Sequence, residues 1–75
     1  MYYTYILQSF KDNSFYIGYT SNLRIRLDFH NSGSSKYTAK KIPWKIVYYE
    51  VFDNKTEAIR REKFLKKQKN KDFYN

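Results

Sequence analysis

Residues 2–20 read as a single β-hairpin, and no other feature constrains the fold of this chain as much. Residues 2–8 alternate enough for a strand, Lys11-Asp12-Asn13-Ser14 supplies turn chemistry, and Phe15 to Thr20 returns as the partner strand. Tyrosine recurs in both arms, as Tyr3-Thr4-Tyr5 in the first and Tyr16-Ile17-Gly18 in the second. Tyrosine is common in strands, so Tyr5 and Tyr16 taken alone read as core residues. Tyr2, Tyr3, Tyr48 and Tyr49 are read as packing or surface residues.

Beyond the hairpin, Ser21 or Asn22 can cap a helix running to about Asn31 and closed by Gly33. The same stretch also carries a strand pattern, because Leu23, Ile25, Leu27 and Phe29 alternate with Arg24, Arg26 and Asp28. Gly33 to Pro43 is a polar, lysine-bearing loop. Trp44 to Phe52 is rich in β-branched and aromatic residues and is expected to be the central strand. Asn54 starts a second helix reaching residue 69, with Glu57 three positions on as in a capping box.

At 75 residues, the chain is expected to be one small domain over residues 1–75, near the lower limit for a self-sufficient core. Nine tyrosines, six phenylalanines and one tryptophan supply much of that core. The absence of cysteine excludes disulfides and thiolate metal sites, and the single histidine, His30, excludes a zinc site built on several imidazoles. No apolar run approaches the roughly 20 residues that span a bilayer, and the strand-like start lacks the basic segment of a signal peptide. The expected location is the cytoplasm, so the Asn54-Lys55-Thr56 sequon carries no weight.

Fifteen Lys and Arg against seven Asp and Glu give a net charge of +8. Eight of those bases (Lys55, Arg60, Arg61, Lys63, Lys66, Lys67, Lys69 and Lys71) lie in the last third. Such density favours polyanions through phosphate contacts and counterion release. It is equally compatible with a solvated helix face.

Two polar groups fall on apolar helix faces. In the second helix Ala58, Ile59 and Leu65 share a face, and Glu62 falls between them. A carboxylate there costs stability unless something pairs with it, and taken alone Glu62 reads as the partner of an arginine. In the first helix Leu23, Leu27 and His30 share a face, with Arg26 at its edge. A histidine at a helix C-terminus is ordinarily a cap or surface residue, since a cation there suits the helix dipole.

Taken together, Tyr5, Tyr16, Arg26, His30 and Glu62 resemble the GIY-YIG nuclease family. Tyr16-Ile17-Gly18 matches its second triplet, whereas the first keeps only Tyr5, with Tyr3 and Thr4 where glycine and isoleucine are usual. Asn22-Leu23-x-x-Arg26-Leu27-x-x-His30 follows the family's register without a gap. The resemblance favours the helical reading of residues 22–31. It implies an α+β fold, a small three-stranded antiparallel sheet flanked by helices, and a metal-dependent DNA endonuclease acting in repair or processing.

The resemblance also assigns roles. Glu62 would ligate Mg²⁺ or Mn²⁺, which act as Lewis acids with mostly water ligands. Arg26 would hold the scissile phosphate through its planar fork. Tyr5 is placed ahead as the base, its proton passing to His30 or its charge eased by the metal and Arg26, with Tyr16 orienting phosphate or water. Lys36, Lys40, Lys41 and Lys45 would flank one side of the nucleic acid, DNA or RNA, and Lys66, Lys67 and Lys69 the other. Tyr37 could stack on a base or simply pack down. An asparagine that some relatives supply from a later segment has no clear match. The alternatives are an inert nucleic-acid-binding module and a basic interaction protein that docks through the helix 54–69.

Overall fold

The computed structural model describes residues 1–69, and the side chain of Lys69, a candidate DNA contact, lies outside the described residues. The elements run β1 (Tyr2–Ser9), β2 (Phe15–Thr20), α1 (Leu23–Asn31), a 3₁₀ turn (Ala39–Lys41), β3 (Trp44–Phe52) and α2 (Lys55–Lys69). The architecture is α+β, with both strand pairings antiparallel.

The hairpin turn is built from the residues that suggested it. Asn13 takes a left-handed backbone (φ 63°), which asparagine tolerates better than most residues. The Asp12 carboxylate accepts from the Ser14 N–H at 3.0 Å and the Ser14 hydroxyl at 2.7 Å. The register then sets Tyr5 opposite Gly18 and Leu7 opposite Tyr16.

The strand order is β2-β1-β3, which corrects the expectation that Trp44–Phe52 is central. β1 occupies the middle, and Thr4 to Leu7 are all buried. β3 is an edge strand buried mainly at its Trp44 end, with Val47, Tyr48, Tyr49 and Val51 exposed. Its aromatic and β-branched content reports strand propensity, which says nothing about position in the sheet. A register shift between Ile6 and Leu7 leaves Val47 as the extra residue of a bulge.

Strand alternation divides the core in two. Tyr5, Leu7 and Trp44 pack with Tyr16, Leu23, Leu27, Ile42 and Ile46 beneath α1. Ile6, Ile17 and Leu65 pack with Phe15 beneath α2 on the other face. Full burial of side chains such as Leu7, Ile17 and Leu65 contributes about 1.5–3 kcal/mol each. The Thr4 hydroxyl adds a buried tether, donating to the Ala58 carbonyl at 2.7 Å.

The helix ends follow their caps. Asn22 Oδ1 accepts from the Ile25 N–H at 3.0 Å, and Gly33 leaves α1 with φ 83°. The competing strand pattern loses because Ile25 is 65% exposed, while Leu23, Leu27 and His30 turn inward. Asn54 Oδ1 accepts from the Glu57 N–H at 2.9 Å, capping α2. Arg61 then fastens α2 to β3 through Glu50, at 2.7 and 3.1 Å. Among the described residues no helix is long and apolar enough to cross a membrane.

Candidate active site

Tyr5 sits at the centre of the sheet with its side chain toward α1, and its phenol lies across Gly18. A Cβ on Gly18 would stand 2.6 Å from Tyr5 Oη, 2.8 Å from Cζ and 3.2 Å from Tyr16 Cε2. The triplet Tyr16-Ile17-Gly18 therefore has three separate jobs. Tyr16 supplies a ring on the α1 face, Ile17 fills the core beneath α2, and Gly18 leaves room for Tyr5.

His30 stands in the last turn of α1, but it is neither a cap nor a surface residue. It is 1% exposed, and its Nε2 lies 3.0 Å from Tyr5 Oη. Its Nδ1 lies 3.0 Å from the hydroxyl of Thr38, which is itself fully buried. The imidazole also packs on Tyr16, with ring centroids 4.8 Å apart. Burial, reinforced by the Arg26 charge, lowers the His30 pKa below its ordinary 6.5, so the ring is neutral at pH 7. Burial pushes the Tyr5 phenol far above its ordinary 10, with Tyr16 and Glu62 adding to the shift and Arg26 opposing it.

A cleft of about 480 Å³ opens beside Tyr5. Tyr5, Tyr16, Arg26 and Glu62 all line it, so four of the five residues selected by sequence meet in one concavity. The fifth, His30, stands behind Tyr5. Arg26 and Glu62 come from helices on opposite faces of the sheet. They meet because the successive residues Gly18, Tyr19 and Thr20 of the edge strand β2 also line the cleft, which wraps around that edge. Sequence reasoning named Gly18 only as part of its triplet and Lys55 only among the bases of the last third, read Tyr2 as a packing or surface residue, and did not single out Thr38. Only Gly18 carried a usable signal, since a glycine inside a strand often marks a close approach.

Glu62 is held in the cleft wall with its side chain 14% exposed. Its partner is Lys66 one turn on, at 3.0 Å, in place of the arginine considered from sequence. Tyr16 and Lys66 also line a neighbouring hollow of about 460 Å³ with Tyr37, which is 87% exposed. The other basic candidates stand apart. Lys36, Lys40 and Lys67 are exposed and line neither hollow. Lys41 is drawn to the hairpin turn, 3.2 Å from the Asp12 carboxylate, with its ammonium donating to Ser14 Oγ at 3.2 Å. The cations lining the main cleft are Arg26 and Lys55.

The donor set decides what metal could fit. Glu62 is the carboxylate of the cleft, and no cluster of three or more His, Cys, Asp or Glu occurs among the described residues. One carboxylate beside phenolic oxygens, already attracting the Lys66 ammonium, suits a hard divalent cation that keeps most of its water, such as Mg²⁺ or Mn²⁺. Softer ions that want imidazole or thiolate shells have nothing to bind.

A three-stranded sheet between two helices, with paired strand tyrosines, an arginine and a glutamate gathered at one sheet edge, defines a GIY-YIG-type fold. The family model described as GIY-YIG catalytic domain matches residues 1–75, and the chain belongs to this nuclease family. It is 50% identical to a UPF0213 protein of Clostridium perfringens strain 13, over 89% of this chain and 72% of that one. A UPF0213 protein of Bacillus licheniformis is 45% identical over 96% of this chain and 76% of its own length. The solution NMR structure of a UPF0213 protein from Bacillus halodurans superposes with a TM-score of 0.52 at 41% identity, covering 88% of this chain and 71% of that one.

Proposed function

We propose that this protein is a metal-dependent DNA endonuclease that hydrolyses phosphodiester bonds in the cytoplasm, in DNA repair or processing. The observation that carries this reading is the meeting of Tyr5, Tyr16, Arg26 and Glu62 in one cleft, with His30 hydrogen-bonded behind Tyr5. Arg26 and Lys55 line that cleft with positive charge, and Arg26 can hold two phosphate oxygens at once. Glu62 would hold the divalent cation, which supplies Lewis-acid stabilisation of the phosphate and leaving oxygen when bound.

Proton transfer does not require a free phenolate, which the buried Tyr5 site disfavours. The attacking water gives its proton to Tyr5 Oη while the phenol proton moves to His30 Nε2. The imidazole becomes imidazolium and Tyr5 ends as it began, a neutral phenol. His30 can serve as terminal acceptor because burial and Arg26 keep it neutral at pH 7. Tyr16, half-buried at the mouth of both hollows, orients water or phosphate.

Incubating the protein with supercoiled plasmid and with branched oligonucleotides, in Mg²⁺, in Mn²⁺ and in chelator, tests the proposal. Nicking is expected with either metal and none in chelator. Binding without turnover in any metal would leave a nucleic-acid-binding module, and cleavage that persists in chelator would remove the metal.

A further inference from the structure

We propose that Thr38 is a positioning residue, holding the proton of neutral His30 on Nδ1 so that Nε2 offers its lone pair to Tyr5. Neutral imidazole carries one N–H, and the two oxygens facing the ring allow two arrangements. In one, Nδ1–H donates to Thr38 Oγ1 and the Tyr5 O–H donates to Nε2. In the other, Thr38 donates to Nδ1 and Nε2–H donates to the phenol oxygen. Both contacts are 3.0 Å, so distance does not choose between them. Acidity does.

Phenol is intrinsically a far better donor than an aliphatic hydroxyl (ordinary pKa about 10), an order that burial does not reverse because it penalises the phenolate and not the neutral O–H. Its oxygen is the poorer acceptor because its lone pair is delocalised into the ring. The strongest donor then pairs with the imidazole lone pair, and the better acceptor oxygen pairs with the imidazole N–H. That selects the proton on Nδ1. The selection bears on chemistry, because it turns the Tyr5 proton away from the cleft and leaves the phenol oxygen free to accept from water. The opposite tautomer would aim the Tyr5 proton into the cleft and leave His30 no lone pair toward Tyr5.

Thr38 is held for this task by more than its side chain. Its N–H donates to the Ser35 carbonyl at 3.2 Å, and its own carbonyl accepts from Trp44 Nε1 at 2.9 Å and the Lys41 N–H at 3.1 Å. Trp44 is itself part of the core beneath α1. The 3₁₀ turn after Thr38 is thereby tied to the core beneath α1, which holds the Thr38 backbone in place beside the imidazole.

The contribution to cleavage rests on the endonuclease reading; the tautomer does not. His30 is the single histidine of the chain, so imidazole ¹⁵N NMR reads it alone. Wild type should show an N–H-type Nδ1 and an unprotonated Nε2, and the reverse pattern would overturn the proposal. Thr38→Val should populate the Nε2–H tautomer and lower Mg²⁺-dependent plasmid nicking at least about tenfold, as a wrong tautomer does in other histidine-based sites. DNA affinity should stay level, and Thr38→Ser should restore both signals. A Thr38→Val protein with the wild-type ¹⁵N pattern and full nicking would remove Thr38 from this role. If Thr38→Val does not fold, the wild-type spectrum and Thr38→Ser decide. If wild type itself never cleaves, the nuclease proposal fails while the spectra still settle the tautomer.

Discussion

The hydroxyl of Tyr5 lies where a side chain on Gly18 would begin, 2.6 Å from an ideal Cβ. Moving the phenol aside would break its 3.0 Å bond to His30. Gly18→Ala should therefore lose about 1–3 kcal/mol of stability, the usual cost of overpacking a filled core. Cleavage should fall at least tenfold through displacement of Tyr5 (about 1.4 kcal/mol of barrier). Denaturant unfolding and plasmid nicking measure the two effects. An alanine variant that keeps both would show that Tyr5 has room to move.

His30 makes stability depend on pH in a known direction. In the unfolded chain the imidazole binds its proton at the ordinary 6.5, whereas in the fold burial and Arg26 depress that value. The unfolded state thus holds more protons in this window, so the contribution is present above about pH 6.5 and is lost as pH falls through the depressed folded value. A ¹H–¹⁵N titration should place the His30 midpoint below 6.5, and Arg26→Gln should raise it by removing the second cause. A midpoint at or above 6.5 in the wild type would contradict the neutral, buried ring.

Glu62→Gln separates metal binding from structure. Glu62 is largely covered, but its partner Lys66 is half-exposed, and an i,i+4 pair open to solvent on one side is worth only a few tenths of a kcal/mol to about 1. The melting temperature in chelator should therefore change little, while nicking in Mg²⁺ disappears and DNA binding persists. A variant that melts much lower yet still nicks DNA would take Glu62 out of the mechanism.

Lys55 was counted among the bases of the last third but not chosen as a nucleic-acid contact, yet it lines the cleft with Arg26. Lys55→Ala should weaken binding to all DNA sequences alike and reduce the slope of log K against log salt by about 1, one phosphate contact's worth. Lys40→Ala, on an exposed lysine outside the cleft, should leave the slope closer to wild type. Fluorescence anisotropy across a salt series distinguishes the two, and equal slopes would show that the cleft is not the phosphate track.

What the sequence determined by itself is local. The turn Asp12-Asn13-Ser14, the caps Asn22 and Asn54, and the period-two spacing of Tyr16 and Gly18 all act over a few residues, where backbone periodicity and side-chain hydrogen bonding suffice to place them. The spacing also marked Glu62 as a carboxylate on an apolar face, whereas Arg26 stood out only through the family resemblance. Tertiary structure alone decided the rest. That β1 and not β3 is central, and that two helices on opposite faces deliver Arg26 and Glu62 to one sheet edge, follow from how the sheet and both cores pack. His30 shows the limit most clearly. Its position at a helix end reads as a solvated cap, because nothing local reveals that Tyr5, 25 residues earlier, and Thr38, in a polar loop, close over it. Contacts across such separations depend on complementary packing of whole elements, which one-dimensional spacing does not encode.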